Sequence, residues 1–276
     1  NNSSNKVTQI FSNYTAFAAL RSDGSVVTWG TGYPDRGGDS SAVTAALNNS
    51  SNKVTQIFST YSAFAALRSD GSVVTWGDSA LGGNSSAVAG ALNDSSNKVT
   101  QIFSAGRAFA ALRSDGSVVT WGDNWNGGNS SAVSAALNNS SNKVTQIFST
   151  ALAFAALRSD GSVVTWGNSD YGGNSSAVTA ALNNSSNKVT QIFSNGYAFA
   201  ALRSDGSVVT WGGNGGDSSA VTAALNNSSN KVTQIFSTQY AFAALRSDGS
   251  VVTWGDSAYG GDSSAVTAAL NNSSNK

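Results

Sequence analysis

One phrase of forty-odd residues recurs six times in this chain, and that self-similarity limits the fold more than any other property of the sequence. Each copy reads VTQIFS, three changing residues, AFAALRSDGSVVTWG, a changing segment, GG, Asp or Asn, SSAV, then AL and a polar spacer. The Trp of the phrase falls at 29, 76, 121, 166, 211 and 254, a period of 43 to 47 residues. A unit of that size buries too little surface to fold alone, so adjacent copies must cover one another. The 276 residues are therefore expected to form a single repeat domain, with units at about 1–47, 48–92, 93–137, 138–182, 183–225 and 226–270 and a spacer at 271–276 leading out.

Within the phrase, AFAALRS-DG-SVVTWG has the form of a β-hairpin. Asp-Gly is favoured in two-residue type I′ turns, where both central residues take positive φ. With Asp23-Gly24 as such a loop, Leu20 faces Val27, Ala18 faces Trp29 and Phe17 faces Gly30, so each ring is set beside a small partner. Both faces of the hairpin are apolar, as expected of a sheet held between two others. Val7–Ser12 (VTQIFS) reads as a further strand. Ser40–Leu47 admits a short Ser-capped helix or an irregular fourth strand, and the strand or loop is preferred. The expected fold is all-β, six small sheets packed radially as a six-bladed β-propeller, with an open superhelical array of the same blades as the alternative.

The run A-F-A-A-L-R-S-D-G-S-V-V-T-W-G, followed by a Gly-rich turn, resembles the repeat of the regulator of chromosome condensation family. The shorter units of the bacterial β-lactamase-inhibitor propellers are similar. The resemblance covers all six copies, and its most specific part is A-L-x-x-D-G-x-V-x-x-W-G. It implies a β-propeller, commonly of seven blades. This chain departs from the family in having six units, an Asn/Ser-rich spacer, and Ala-Phe where Gly-His is frequent. Those departures give no basis for carrying over nucleotide-exchange or chromatin-binding residues.

In an antiparallel hairpin, the start of the first strand and the end of the second share one end. The two changing windows, 13–15 and 31–36 in the first copy, should therefore emerge together, opposite the Asp-Gly turn and the NNSSNK spacer. All seven tyrosines fall in the windows, together with the one Trp outside the shared frame and the two Arg outside the Arg21-type position. The expected ligand-binding residues are Tyr14, Tyr33, Arg36, Tyr61, Arg107, Trp125, Tyr171, Tyr197, Tyr240 and Tyr259. Tyr, Trp and Arg among Ser, Gly and Asn is the composition of recognition loops, since rigid aromatics give contact area at low entropic cost. A protein or a carbohydrate would suit such a face. Solvent-exposed loops drifting freely are the competing reading.

Charge separates along the same axis. Seven Lys and six Arg against seven Asp occupy the constant end, and two Arg against eight Asp the variable end, within a net charge of zero. Such polarity favours head-to-tail stacking into a fibre or stalk as an alternative role, screened over about 8 Å at physiological salt. A designed scaffold built from a consensus repeat is a further alternative, on the near identity of the copies.

Catalysis is not expected. There is no Cys, His, Met or Glu, which removes thiolate chemistry, the usual metal ligand and the neutral-pH proton carrier. Asp alone, without a partner at an identifiable spacing, does not make an acid–base pair. The Asp23-type residues are explained by their turn, and SDGSV has too few oxygens for calcium. Arg21-type residues are expected to neutralise those aspartates, and the Trp29 series to be blade core. No cofactor, metal or nucleic-acid partner is expected, and no apolar run reaches the roughly 18 residues of a spanning helix. Opening and closing on NNSSNK, the chain reads as a piece of a longer product. Its Cys-free, Asn/Ser-rich character suggests extracellular or cell-surface display.

Overall fold

The computed structural model describes residues 5–31 and 36–271. Each repeat is a three-stranded antiparallel sheet in sequential order. In the first, β1 (Val7–Ser12) pairs with β2 (Ala16–Arg21), which pairs with β3 (Val26–Gly30). The same sheet begins again at Val54, Val99, Val144, Val189 and Val232. A β-bulge at Thr8 lets the first strand twist. The Thr8 hydroxyl donates to the Leu20 carbonyl at 3.1 Å, satisfying part of the broken ladder.

The hairpin register differs by one residue from the sequence expectation. Leu20 pairs with Val26, Ala18 with Thr28, Phe17 with Trp29 and Ala16 with Gly30. No non-glycine residue has positive φ among the described residues, whereas Gly24 has φ 83°. The loop is thus three residues long: Gly24 N–H donates to Arg21 O, and Arg21 N–H to Ser25 O. This is a tight turn closed by one left-handed glycine, not a type I′ pair. The consequence is large. Phe and Trp lie opposite each other and stack, with centroids 5.2 Å apart for Phe17–Trp29 and 5.1 Å for Phe64–Trp76 and Phe109–Trp121. The pairing of each ring with a small residue is therefore incorrect, although Trp remains core, 4 % exposed at 76 and 121.

Ser41–Leu47 is helical rather than a strand: a 3-10 turn, Ser41–Val43, runs into the one-turn helix α1 (Thr44–Leu47). The Asp39 carboxylate starts it by accepting the Ser41 N–H. After it, the Asn48 side-chain carbonyl accepts the Val26 N–H at 2.9 Å. Thr28 donates to the Gly38 carbonyl and Ser40 hydroxyl. Side chains thus occupy the outer edge of β3, where a fourth strand would have paired.

Alternation of side chains gives each sheet two apolar faces. Ala16, Ala18, Leu20 and Val26 form a back face of small groups, and Leu47 of the helix fills the gap beside them. The front face of the next sheet, Val54, Ile57, Phe64, Val74 and Trp76, packs into it. Repeats 2 and 3 meet in the same way, as do 4 and 5, and 5 and 6. The Trp76 indole N–H donates to the Gly37 carbonyl of the preceding repeat at 3.1 Å, and Val54 N–H to Gly24 O. The chain divides into two compact units, 1–143 and 144–276, each of three repeats.

Candidate functional site

The windows of every repeat are bonded to one another. The residue ending window one accepts, through its carbonyl, the N–H that follows the third strand: Thr31 to Thr15, Asp78 to Ser62, Asp123 to Arg107, Asn168 to Leu152, Gly213 to Tyr197 and Asp256 to Tyr240. Both windows thus leave each sheet at the end away from the Asp-Gly turn. At that other end the spacer Asn5 bonds Ser22 and Asp23, as Asn52 does Ser69 and Asp70.

The first window position carries structure rather than free variation. The Thr60 hydroxyl accepts from Ala63 N–H and donates to the Leu81 carbonyl of window two, and Thr150 does the same with Ala153 and Tyr171. Asn13 and Asn195 use their amides for that task, reaching the carbonyls of Arg36 and Asn214. Residues 13, 60, 150, 195 and 238 are Asn or Thr and only repeat 3 differs, with Ala105, a bias visible in the sequence once the repeats are aligned. In four repeats window two is similarly fixed at its first residue, which is Thr31 and Gly213 in the other two. Asp78, Asp123, Asn168 and Asp256 cap the 3-10 turns by accepting an N–H two residues on.

In the first unit, neighbouring repeats are joined by the middle of window one. Tyr14 N–H donates to Tyr61 O at 3.2 Å and Tyr61 N–H to Gly106 O at 2.8 Å. The Tyr14 and Tyr61 rings stack at 4.6 Å. Tyr61 lies flat over Gly106, where a Cβ would fall 2.2 Å from the ring. The Arg107 guanidinium is 3.7 Å from the Asp123 carboxylate, both at the rim. Trp125 stands out at 85 % exposure, and Arg36 is exposed. Tyr33 lies outside the described residues.

In the second unit the same backbone ladder runs from Ala151 to Gly196 to Gln239. On it stands an aromatic row. Tyr171 stacks on Tyr197 at 4.8 Å, Tyr197 on Tyr240 at 5.1 Å, and Tyr259 tilts against Tyr240 at 4.5 Å. Tyr171 comes from window two of repeat 4, Tyr197 and Tyr240 from window one of repeats 5 and 6, and Tyr259 from window two of repeat 6. A hydrogen bond with Tyr197, aided by the charges of Tyr197, Tyr259 and Asp256, raises the Tyr240 phenol above the ordinary tyrosine value. The Tyr240 hydroxyl is thus a neutral donor and acceptor at physiological pH.

The turn aspartates are occupied. Asp23 accepts from the Ser25 hydroxyl and N–H, which hold its carboxyl below the ordinary carboxylate value, and Arg21 adds a smaller Coulombic part. The expected neutralisation by Arg21 is therefore secondary: serine, two residues on, is the main partner. Among the described residues no group of three acidic, His or Cys side chains is placed to hold a metal, and no helix is long and apolar enough to cross a membrane.

Solved structures resemble this arrangement. Human WBSCR16 matches with a TM-score of 0.53 at 18% identity, over 91% of this chain and 76% of its own. Yeast RCC1 (Prp20), solved with Kap60 bound, matches with a TM-score of 0.53 at 17% identity, over 91% and 70%. The six sheets are blades of an RCC1-like β-propeller fold. At these identities the likeness concerns the fold alone. No family model matches the sequence, and no curated protein matches it.

Proposed function

We propose that this chain is a non-catalytic scaffold that binds a protein ligand through the aromatic rims of its blades. The observation that carries the reading is the row Tyr171–Tyr197–Tyr240–Tyr259, four side chains from three repeats held in contact by an inter-repeat backbone ladder. Its stacking favours protein over carbohydrate. Tyr197 has a ring on each side, so neither of its faces is open to a sugar, and edges and hydroxyls are what it presents. Rings fixed in advance lose little entropy on binding, which suits an interface anchor. Tyr14 and Trp125 supply open aromatic surface in the first unit, with Arg36 and Arg107 as directed donors. Prp20, of similar fold, is described by its binding to Gsp1p and histones, which lends general support to a protein ligand.

Probing protein and glycan arrays with the purified chain and with a Tyr197→Ser, Tyr240→Ser double variant tests this. Protein hits that disappear in the variant, at an unchanged melting temperature, are expected. Hits that survive the substitutions, or binding confined to glycans, would refute it. We propose in addition that the protein is displayed outside the cell, motivated by its Cys-free, Asn/Ser-rich composition; fractionation finding it in cytosol alone would reject that location.

A further inference from the structure

The aromatic row of the second unit is bounded at both ends by an aspartate. Tyr171 ends the 3-10 turn Ser169–Tyr171, and Asp170 is the exposed residue just before it. Tyr259 ends the turn Ser257–Tyr259, which Asp256 caps with one carboxylate oxygen. Asp256 stands near enough to Tyr240 for its charge to help raise that phenol. Asp170 is tied to the middle of the row as well. Its carbonyl and the Tyr197 Cβ both crowd Gly213, at 2.5 and 3.4 Å from where a Cβ would lie.

No cation of its own windows meets this rim. The windows of repeats 4 to 6 contain no Lys or Arg. Arg158, Arg203 and Arg246 end their strands at the Asp-Gly turns, where the carbonyls of Lys188 and Lys231 accept the N–H groups of Ser204 and Ser247. The first unit is built differently, since there Arg107 already lies 3.7 Å from the Asp123 carboxylate. Tyr197 and Tyr240 each have a ring on both sides, so an incoming cation meets hydroxyl and carboxylate oxygens rather than their ring faces.

We propose that the Tyr171–Tyr259 row takes an arginine-bearing segment of its protein partner, with guanidinium groups donating to Asp170, Asp256 and the tyrosine hydroxyls between them. This rests on the reading of the row as a protein-binding surface and adds the partner's chemistry to it. Arginine fits better than lysine. Its five N–H donors in a planar fork reach a carboxylate and an adjacent hydroxyl together, and guanidinium gives up its water more easily than ammonium. Two carboxylates at opposite ends of four rings call for more than one such residue, which a basic segment supplies. Opposite charge draws that segment in from beyond contact and makes the association salt-dependent.

Fluorescence anisotropy with a labelled peptide of alternating arginine and serine, beside its lysine and glutamate counterparts, tests the proposal. The arginine peptide should bind at low salt and weaken as salt rises, and the glutamate peptide should not bind. Asp170→Asn with Asp256→Asn should weaken binding about threefold to tenfold, the effect of two charge pairs at a rim. The fold should survive, because Asn168 already caps the same turn in repeat 4. Asp39→Asn with Asp78→Asn removes the same charge from the first unit and should leave the affinity nearly unchanged. Equal binding of the lysine peptide, indifference to salt, or equal losses in the two aspartate pairs would overturn the proposal. An arginine peptide that fails to bind, while array hits still vanish in the Tyr197→Ser, Tyr240→Ser variant, would overturn it and leave the protein-binding reading intact. Peptide binding untouched by that tyrosine variant would overturn both.

Discussion

Gly82 and Gly90 show how differently one residue type is held within a single repeat. Gly82 has φ +101° and stands where a Cβ would lie 2.6 Å from the Phe109 ring of the next repeat, whereas Gly90 is exposed and meets nothing within 4 Å. Gly82→Ala therefore forces both a left-handed alanine and a displaced ring, at a cost of about 1–3 kcal/mol. Gly90→Ala relieves the helix penalty of glycine and stabilises by up to about 1 kcal/mol; the other repeats already carry alanine there. Urea midpoints should move in opposite directions, and a shift of the same sign would refute the packing account. The turn aspartates act through protonation. Burial pushes the Asp70 carboxyl up, but the Ser72 hydroxyl and N–H, with smaller help from Asn52 and Arg68, outweigh it and leave it below its ordinary value of 3.8. A folded-state pKa depressed in this way adds stability above the unfolded value that is lost as pH falls through the folded one, so the linkage operates in the acid range below about 4. Ser72→Ala should raise the Asp70 titration midpoint, read by carboxyl-carbon NMR; an unmoved midpoint would exclude the hydroxyl as cause.

At the scale of elements, the sequence makes the three strands plain and hides how they turn. Asp-Gly serves both a two-residue loop and a three-residue loop closed by glycine. The choice falls to Ser25, whose N–H and hydroxyl both bind the Asp23 carboxylate and hold Asp23 at negative φ. That local bond shifts the register by one and brings Phe17 against Trp29. The segment after the windows is ambiguous for a similar reason. Its helix is a single turn, too short for periodicity to show, and is defined by an Asx turn at one end and an asparagine bond at the other. That asparagine is testable. Asn93→Ala leaves the buried Val73 N–H without its partner, at a cost of about 1–3 kcal/mol. Asn93→Asp keeps an acceptor and should cost less. Exchange of the Val73 amide should quicken in the alanine variant; unchanged protection would show that the edge of the third strand is sealed otherwise. Antiparallel pairing was enough to place both windows at one end of a blade. Which tyrosines would meet was not legible, because Tyr171 reaches Tyr197 across a repeat boundary, an offset set by the packing of Phe and Trp on the small back face.

Across the whole molecule, stability accrues repeat by repeat, since within each unit neighbouring sheets bury one another's faces. The same substitution should therefore cost different amounts along the chain. Phe109 is fully buried between repeats 2 and 3, and Phe109→Ala should lose about 3–5 kcal/mol. Phe17 has the same chemistry and the same stacked Trp but is 43 % exposed, so Phe17→Ala should lose well under half as much in dilute solution. Urea unfolding of both variants beside the parent reads the two losses, and equal losses would refute the account in which a blade is stabilised by the burial its neighbours give it.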